Sequence, residues 1–159
     1  MDYNLSEDWK FWYHSIKDNN WNKESYNDLI DINNLFDYHL IENTFKQNHY
    51  QNGMFFCMKD GIFPNWEDPD TRSGGCLSFK ITSIRVIDEW NQLLLRCIKD
   101  IIFTEHNDEL NGISISPKKE FNIIKIWIKN NNLEYKKYFQ SEEGSTLSLE
   151  NSLYKKHEF

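Results

Sequence analysis

Trp66 and Glu67 stand side by side in the run Lys59-Asp60-Gly61-Ile62-Phe63-Pro64-Asn65-Trp66-Glu67-Asp68, which sets an indole against a carboxylate in a turn-rich loop. The indole offers a flat face for stacking, and the ionised carboxylate offers two oxygens to the donors on the edge of a base. That pairing suits an unpaired, guanine-like ring, stacked on Trp66 and read along its amide and amino edge by Glu67. The neighbouring Asp68 and Asp70 permit a second chemistry, in which they and Glu67 hold a hard cation such as Mg²⁺ for hydrolysis. Against it, the chain has no second carboxylate cluster and no evident base.

Composition bounds what such a loop can serve. The 159 residues are enough for one domain with one core, so a single domain over residues 1–159 is expected. A net charge of −7 opposes binding along a nucleic-acid backbone, where affinity comes from many Lys and Arg contacts to phosphate. A nucleic-acid ligand should therefore be small and locally recognised. Aromatic residues make up 16% of the chain, with six Trp, more than a core of this size requires. Cys57, Cys76 and Cys97 lack C-x-x-C spacing, and the five histidines lack ligand spacing, so neither a disulfide framework nor a metal centre is expected. No export signal or membrane span is apparent, which leads to the expectation of a cytoplasmic protein without membrane contact.

The elements that must position the loop follow from periodicity. Trp9-Lys10-Phe11-Trp12-Tyr13-His14 reads as a strand, followed by a polar turn, Lys17-Asp18-Asn19-Asn20, with Trp21 just beyond. Ile32, Leu35, Phe36, Leu40 and Ile41 recur at helical spacing, predicting a helix over 32–45 with Asp31 as its N-cap. Residues 53–58 form a buried strand leading into the Trp66 loop, and 76–82 alternate as another after Gly74-Gly75. The strongest helix spans 86–103. Val86, Ile87, Trp90, Leu93, Leu94, Cys97 and Ile101 share its core face, while Leu95, Ile98 and Ile102 lie beside Asn91 on an adjoining arc. That arc either widens the core or forms a docking seam. Ile113-Ser114-Ile115-Ser116 and 123–128 make a hairpin with Lys118 and Lys119 at its bend, 133–139 a short helix, and 146–151 and 153–157 weaker strands. Strands alternating with helices, without long parallel-strand apolar runs, predict an α+β fold with a mainly antiparallel sheet.

Taken singly, these residues have plain explanations. Trp9, Trp12, Trp90 and Trp127 suit a core, Trp21 a partly covered surface ring, Glu67 a solvated turn carboxylate and Lys118 and Lys119 a solvated hairpin tip. Their joint order says more. Trp9, Trp12, Trp21, then Pro64-Asn65-Trp66-Glu67-Asp68, Gly74-Gly75, Trp90 with Leu94-Leu95, Gly112 and Ile124-Lys125-Ile126-Trp127 together resemble the eukaryotic translation initiation factor 4E family. The resemblance runs from about Trp9 to Trp127, with its most specific part at residues 59–68 and Gly74-Gly75.

This resemblance implies a curved antiparallel sheet with helices on its convex face and, on its concave face, a site for the 7-methylguanosine cap of messenger RNA. Trp21 and Trp66 match the two family tryptophans that sandwich the methylated guanine, and Glu67 matches the carboxylate that reads its edge. Methylation makes the base cationic, so each indole face adds about 0.5–2 kcal/mol of cation–π attraction. The implied role is binding without catalysis and without a cofactor, in a monomer. Counting back from Trp127 places Lys118 at the family's phosphate-binding arginine and Ile123 at its usual lysine. Lys119 compensates from the same turn, and Lys155, Lys156 and His157 close over the triphosphate or the next nucleotide. On the back of the sheet, Phe36, Asn91, Leu95 and Ile98 match the patch that takes a helical peptide of a factor 4G-like scaffold or of a repressor. Asn91 stands at an apolar position of that patch and Lys99 at a small one, and the His-Pro of the family's first strand is absent around Tyr3-Asn4. These departures fit a divergent partner, or a cap-binding repressor or decoy without productive scaffold contact.

Overall fold

A computed structural model describes residues 3–65 and 67–157 of the chain. Its centre is a curved, open sheet of seven strands: β1 (Asn4–Ser15), β2 (Asn27–Asn34), β3 (Gly53–Lys59), β4 (Gly75–Thr82), β5 (Leu110–Pro117), β6 (Phe121–Ile128) and β7 (Ser152–Lys156). Their order is β2-β1-β3-β5-β6-β4-β7, and every neighbouring pair is antiparallel. The helices are α1 (Leu35–Thr44), α2 (Gln47–Asn52), α3 (Val86–Ile98) and the single turn α4 (Tyr135–Tyr138).

Strand alternation gives the sheet two different apolar faces. Phe55 and Cys57 of β3 join Tyr50, Trp90, Leu94 and Cys97 in the main core, under the helices. Met54, Phe56 and Met58 point the other way and, with Tyr26, Cys76 and Trp127, build a smaller aromatic cluster on the helix-free face. Trp9 and Trp90 are core rings, whereas Trp12 is only partly buried, against the smaller cluster.

Several boundaries differ from the sequence expectation. Ile32 belongs to β2, opposite Trp9, and is fully buried there. Helix α1 starts three residues later than expected because Asn34, not Asp31, caps it: Asn34 Oδ1 accepts from the Asp37 amide, and the Asp37 carboxylate accepts from the Asn34 amide. Helix α2 was not anticipated. Helix α3 stops at Ile98, short of Phe103, and Asp100 adopts a left-handed φ of 58°. That turn ends the helical phase, so Ile101 is 45% exposed while Ile98 and Ile102 are fully buried. Residues 146–151, expected as a strand, are not one: the amide and hydroxyl of Thr146 bond Glu89 of α3, and Leu149–Asn151 form a 3₁₀ turn.

Gly74-Gly75 opens β4 where that strand is closely flanked by the chains carrying β6 and β7. A Cβ on Gly74 would lie 1.7 Å from the Ile128 carbonyl oxygen, and one on Gly75 2.4 Å from that of Lys155. Gly74→Ala should lower unfolding free energy by about 1–3 kcal/mol or more, as overpacking against backbone does. Urea denaturation reads this directly, and an unchanged midpoint would show that the strands can separate without cost.

Candidate functional site

The helix-free face holds a cavity of about 780 Å³. Its floor is the smaller aromatic cluster: Tyr26, Phe56, Cys76 and Trp127, with Met54 beside them. Phe56 and Trp127 meet edge to face at 6.3 Å, and the Trp127 Nε1–H donates to Ser114 Oγ at 3.0 Å, which fixes the indole plane. Burial pushes the Tyr26 phenol up to about 12 and the Cys76 thiol up to about 12, so both stay neutral near pH 7.

Two loops form the rim. The first leaves β1 and carries Trp21, 46% exposed and lining the cavity. Asn22 then caps a short 3₁₀ turn through the Ser25 amide. The second follows β3 and brings Pro64, Asn65 and Glu67 to the cavity wall. It is braced internally: Asn65 Oδ1 accepts from the Glu67 amide at 2.9 Å, and the buried Thr71 hydroxyl donates to the Asn65 carbonyl oxygen. The Thr71 and Arg72 amides both bond the Asp68 carbonyl oxygen. Asn65 Nδ2 donates to the main-chain oxygen of Trp21 at 3.3 Å, tying the rim loops together across 44 positions of sequence. Trp66, expected to stack on the base, lies outside the described residues.

The side of the cavity formed by β4, β6 and β7 is cationic. Lys125 of β6 with Lys155 and Lys156 of β7 line it, beside Ser78 and His157. Strand register sets this grouping, because β4 lies between β6 and β7 and pairs Ser78 with Lys125, Cys76 with Lys155 and Gly75 with Lys156. His157 Nδ1 lies 2.8 Å from the Thr71 carbonyl oxygen, and its Nε2 lies 3.5 Å from Cys76 Sγ. Burial lowers the His157 pKa against the opposing bond to Thr71, and the Lys125 charge lowers it further. The ring is therefore neutral near pH 7, donating from Nδ1 to Thr71.

The structure thus brings together Trp21, Glu67, Lys155 and Lys156 and leaves two expected residues apart. Lys118 and Lys119 are exposed at the tip of the β5–β6 hairpin and do not line the cavity. Lys125 takes a place that gapless counting from Trp127 missed. The available signal was strand period: Ile123, Lys125 and Trp127 share one face of β6. Glu67, Asp68 and Asp70 do not converge as a metal site. Among the described residues, no group of three or more His, Cys, Asp or Glu side chains could hold a metal ion.

On the back of the sheet, Phe36 is 63% exposed and rests on Tyr3 at 4.8 Å, and Leu40 of the same helix is also exposed. Leu95 is half-buried. Ile98 and Asn91, expected on the docking seam, are buried, and the Asn91 carbonyl oxygen accepts from the Tyr38 hydroxyl at 3.0 Å. The early end of α3 and the close packing of α1 turn that part of the arc inward, a correction to the sequence expectation. Among the described residues, no helix is long and apolar enough to cross a membrane.

Comparison with known proteins gives one consistent result. A family model described as eukaryotic initiation factor 4E matches residues 4–158. Eukaryotic translation initiation factor 4E-1 of Solanum habrochaites is 26% identical over 135 residues, covering 79% of this chain and 56% of the relative. The Dictyostelium discoideum factor 4E is 24% identical over 132 residues, covering 79% and 52%. The chain therefore spans little more than half the length of these curated relatives. Among solved structures, C. elegans eIF4E-3 in complex with the 4E-binding protein Mextli superposes with a TM-score of 0.75 at 16% identity, covering 84% of this chain and 79% of that one. Ascaris suum eIF4E-3, solved with the m7G cap, gives 0.72 at 16% identity, covering 83% and 76%.

Proposed function

Since the chain belongs to the eukaryotic initiation factor 4E family, we propose that its cavity binds the 7-methylguanosine cap of messenger RNA and that the protein acts in translation initiation. The observation that carries this reading is one cavity lined by a half-exposed indole, a carboxylate and three lysines. Those groups match the base and the triphosphate of a cap. Trp21 stacks on the methylated guanine, with Trp66 as the second wall, and Glu67 accepts from the base edge. Lys125, Lys155 and Lys156 hold the phosphates as point charges without the bidentate fork of arginine. The chemistry is a grip, with no bond made or broken.

Titration with 7-methyl-GTP and with GTP, followed by tryptophan fluorescence, tests it. The methylated ligand should bind about fivefold to a thousandfold tighter, as two cation–π faces allow. Equal affinity would defeat the reading. Lys125→Ala should weaken 7-methyl-GTP binding about tenfold or more and barely change binding of 7-methylguanosine. Lys118→Ala should leave both unchanged, and the reverse pattern would return the phosphate site to the hairpin tip.

On the back of the sheet, Phe36, Leu40 and Leu95 form the surface for a helical scaffold or repressor peptide. Burial of Ile98 and Asn91 narrows this patch and favours, as a second reading, a cap-binding repressor or decoy. Pulldown with scaffold and repressor peptides separates the two, since retention of a scaffold peptide requires the first.

A further inference from the structure

His14 lies outside the cavity lining, yet it forms the backing of the cavity's indole wall. Its ring is fully buried and stacks face to face on Trp21, with centroids 3.9 Å apart and planes 4° from parallel. Tyr26, whose phenol is neutral, closes on the same ring edge to face at 4.8 Å. The imidazole is pinned at two corners. Nδ1 lies 2.8 Å from the Ser15 carbonyl oxygen, and Nε2 lies 2.7 Å from that of Asn20 and 3.1 Å from Ser25 Oγ. Carbonyl oxygens only accept, and the Ser25 hydroxyl spends its hydrogen on the Asn22 carbonyl oxygen at 2.7 Å. The two nitrogens thus face acceptors on opposite corners of the ring, and Nε2 lies beside the carbonyl of the residue immediately before Trp21.

We propose that His14 is a positioning residue for ligand stacking: it covers the back face of Trp21, anchors the rim loop at Asn20, and so presents the indole to the cavity. An exposed Trp at a loop tip samples several rotamers, and ordering it costs free energy at the moment of binding. A flat partner on one face, held by buried hydrogen bonds, meets that cost during folding. An aliphatic residue lacks the flat face for this, and a solvated ring lacks the fixed plane. The inference rests on the cap-binding reading above and adds to it a residue that never touches the ligand.

A double-mutant cycle on the intact chain tests it, with 7-methyl-GTP titrated against wild type, His14→Leu, Trp21→Ala and the double variant. His14→Leu should weaken binding about threefold to tenfold in the wild-type background. It should have no further effect once Trp21 is alanine, because the wall it positions is gone. A general structural role would instead give the same loss in both backgrounds, and that additivity overturns the proposal, as does wild-type affinity in His14→Leu. Run in parallel, His14→Phe keeps a flat ring of similar breadth but cannot hold Asn20. It should lose less than His14→Leu, again only when Trp21 is present, and it carries the same test if the leucine variant does not fold. Absence of 7-methyl-GTP binding by the wild type would overturn the underlying reading, a result distinct from either outcome of the cycle.

Discussion

Glu67→Ala is expected to weaken 7-methyl-GTP binding by about two to four orders of magnitude, the largest loss from any single substitution in the cavity. An ionised carboxylate that accepts two hydrogen bonds contributes about 1.5–3 kcal/mol for each, which sets that range. Stacking on one indole is worth less, so Trp21→Ala should cost less than Glu67→Ala. The loop holds Glu67 in place. Its amide is held by Asn65 Oδ1, and Asn65 also reaches the main chain of Trp21, so one side chain positions the carboxylate relative to the stacking wall. Retention on immobilised 7-methylguanosine and fluorescence titration both measure the effect. Unchanged retention with the fold intact would remove Glu67 from the base edge.

Glu89→Ala should lower the free energy of unfolding by about 2–4 kcal/mol, the cost of leaving several part-buried donors without their acceptor. Glu89 is 1% exposed on α3, where Oε1 accepts from Arg85 and Oε2 accepts from the Ser145 hydroxyl and from the amide and hydroxyl of Thr146. Removing the carboxylate leaves the Ser145 and Thr146 donors without it, while Arg85 keeps the Gly144 carbonyl oxygen, and releases residues 145–146 from the helix. Arg96, bonded to Gln140 O and paired with Glu142 at 3.3 Å, fastens the preceding stretch to the same flank of α3. Chemical denaturation would show the shift in midpoint, and a change below about 1 kcal/mol would mean that the segment contributes nothing to global stability. Because this flank lies across the sheet from the cavity, the folded variant should bind 7-methyl-GTP as the wild type does.

Much of the fold was legible because burial imposes period two on strands and 3.6 on helices. The residues of β1, β3, β4 and the β5–β6 hairpin stand where that pattern puts them. The misplaced boundaries have local causes that periodicity does not carry. Ile32 sits at helical spacing from Leu35 and Phe36 yet pairs with Trp9 in a strand, and the choice between Asp31 and Asn34 as cap turned on where β2 ends. Ile98 and Ile101 exchanged roles because the helix stops before a left-handed Asp100. On the site, a gapless count back from Trp127 selected the hairpin lysines, whereas the face of β6 selects Lys125.

By itself, the sequence determined the family: an indole and a carboxylate adjacent in chain order, with their ordered neighbours, need no fold to be recognised. Tertiary structure decided everything that depends on residues meeting from distant positions. Antiparallel register across β6, β4 and β7 gathers Lys125, Lys155 and Lys156 along the cavity and leaves Lys118 and Lys119 outside it. Packing decided that Ile98 is core and Phe36 is surface. The same packing set His14, which carried no signal as a residue type, flat against Trp21, because a side chain's partners are chosen by the space around it and not by its neighbours in sequence.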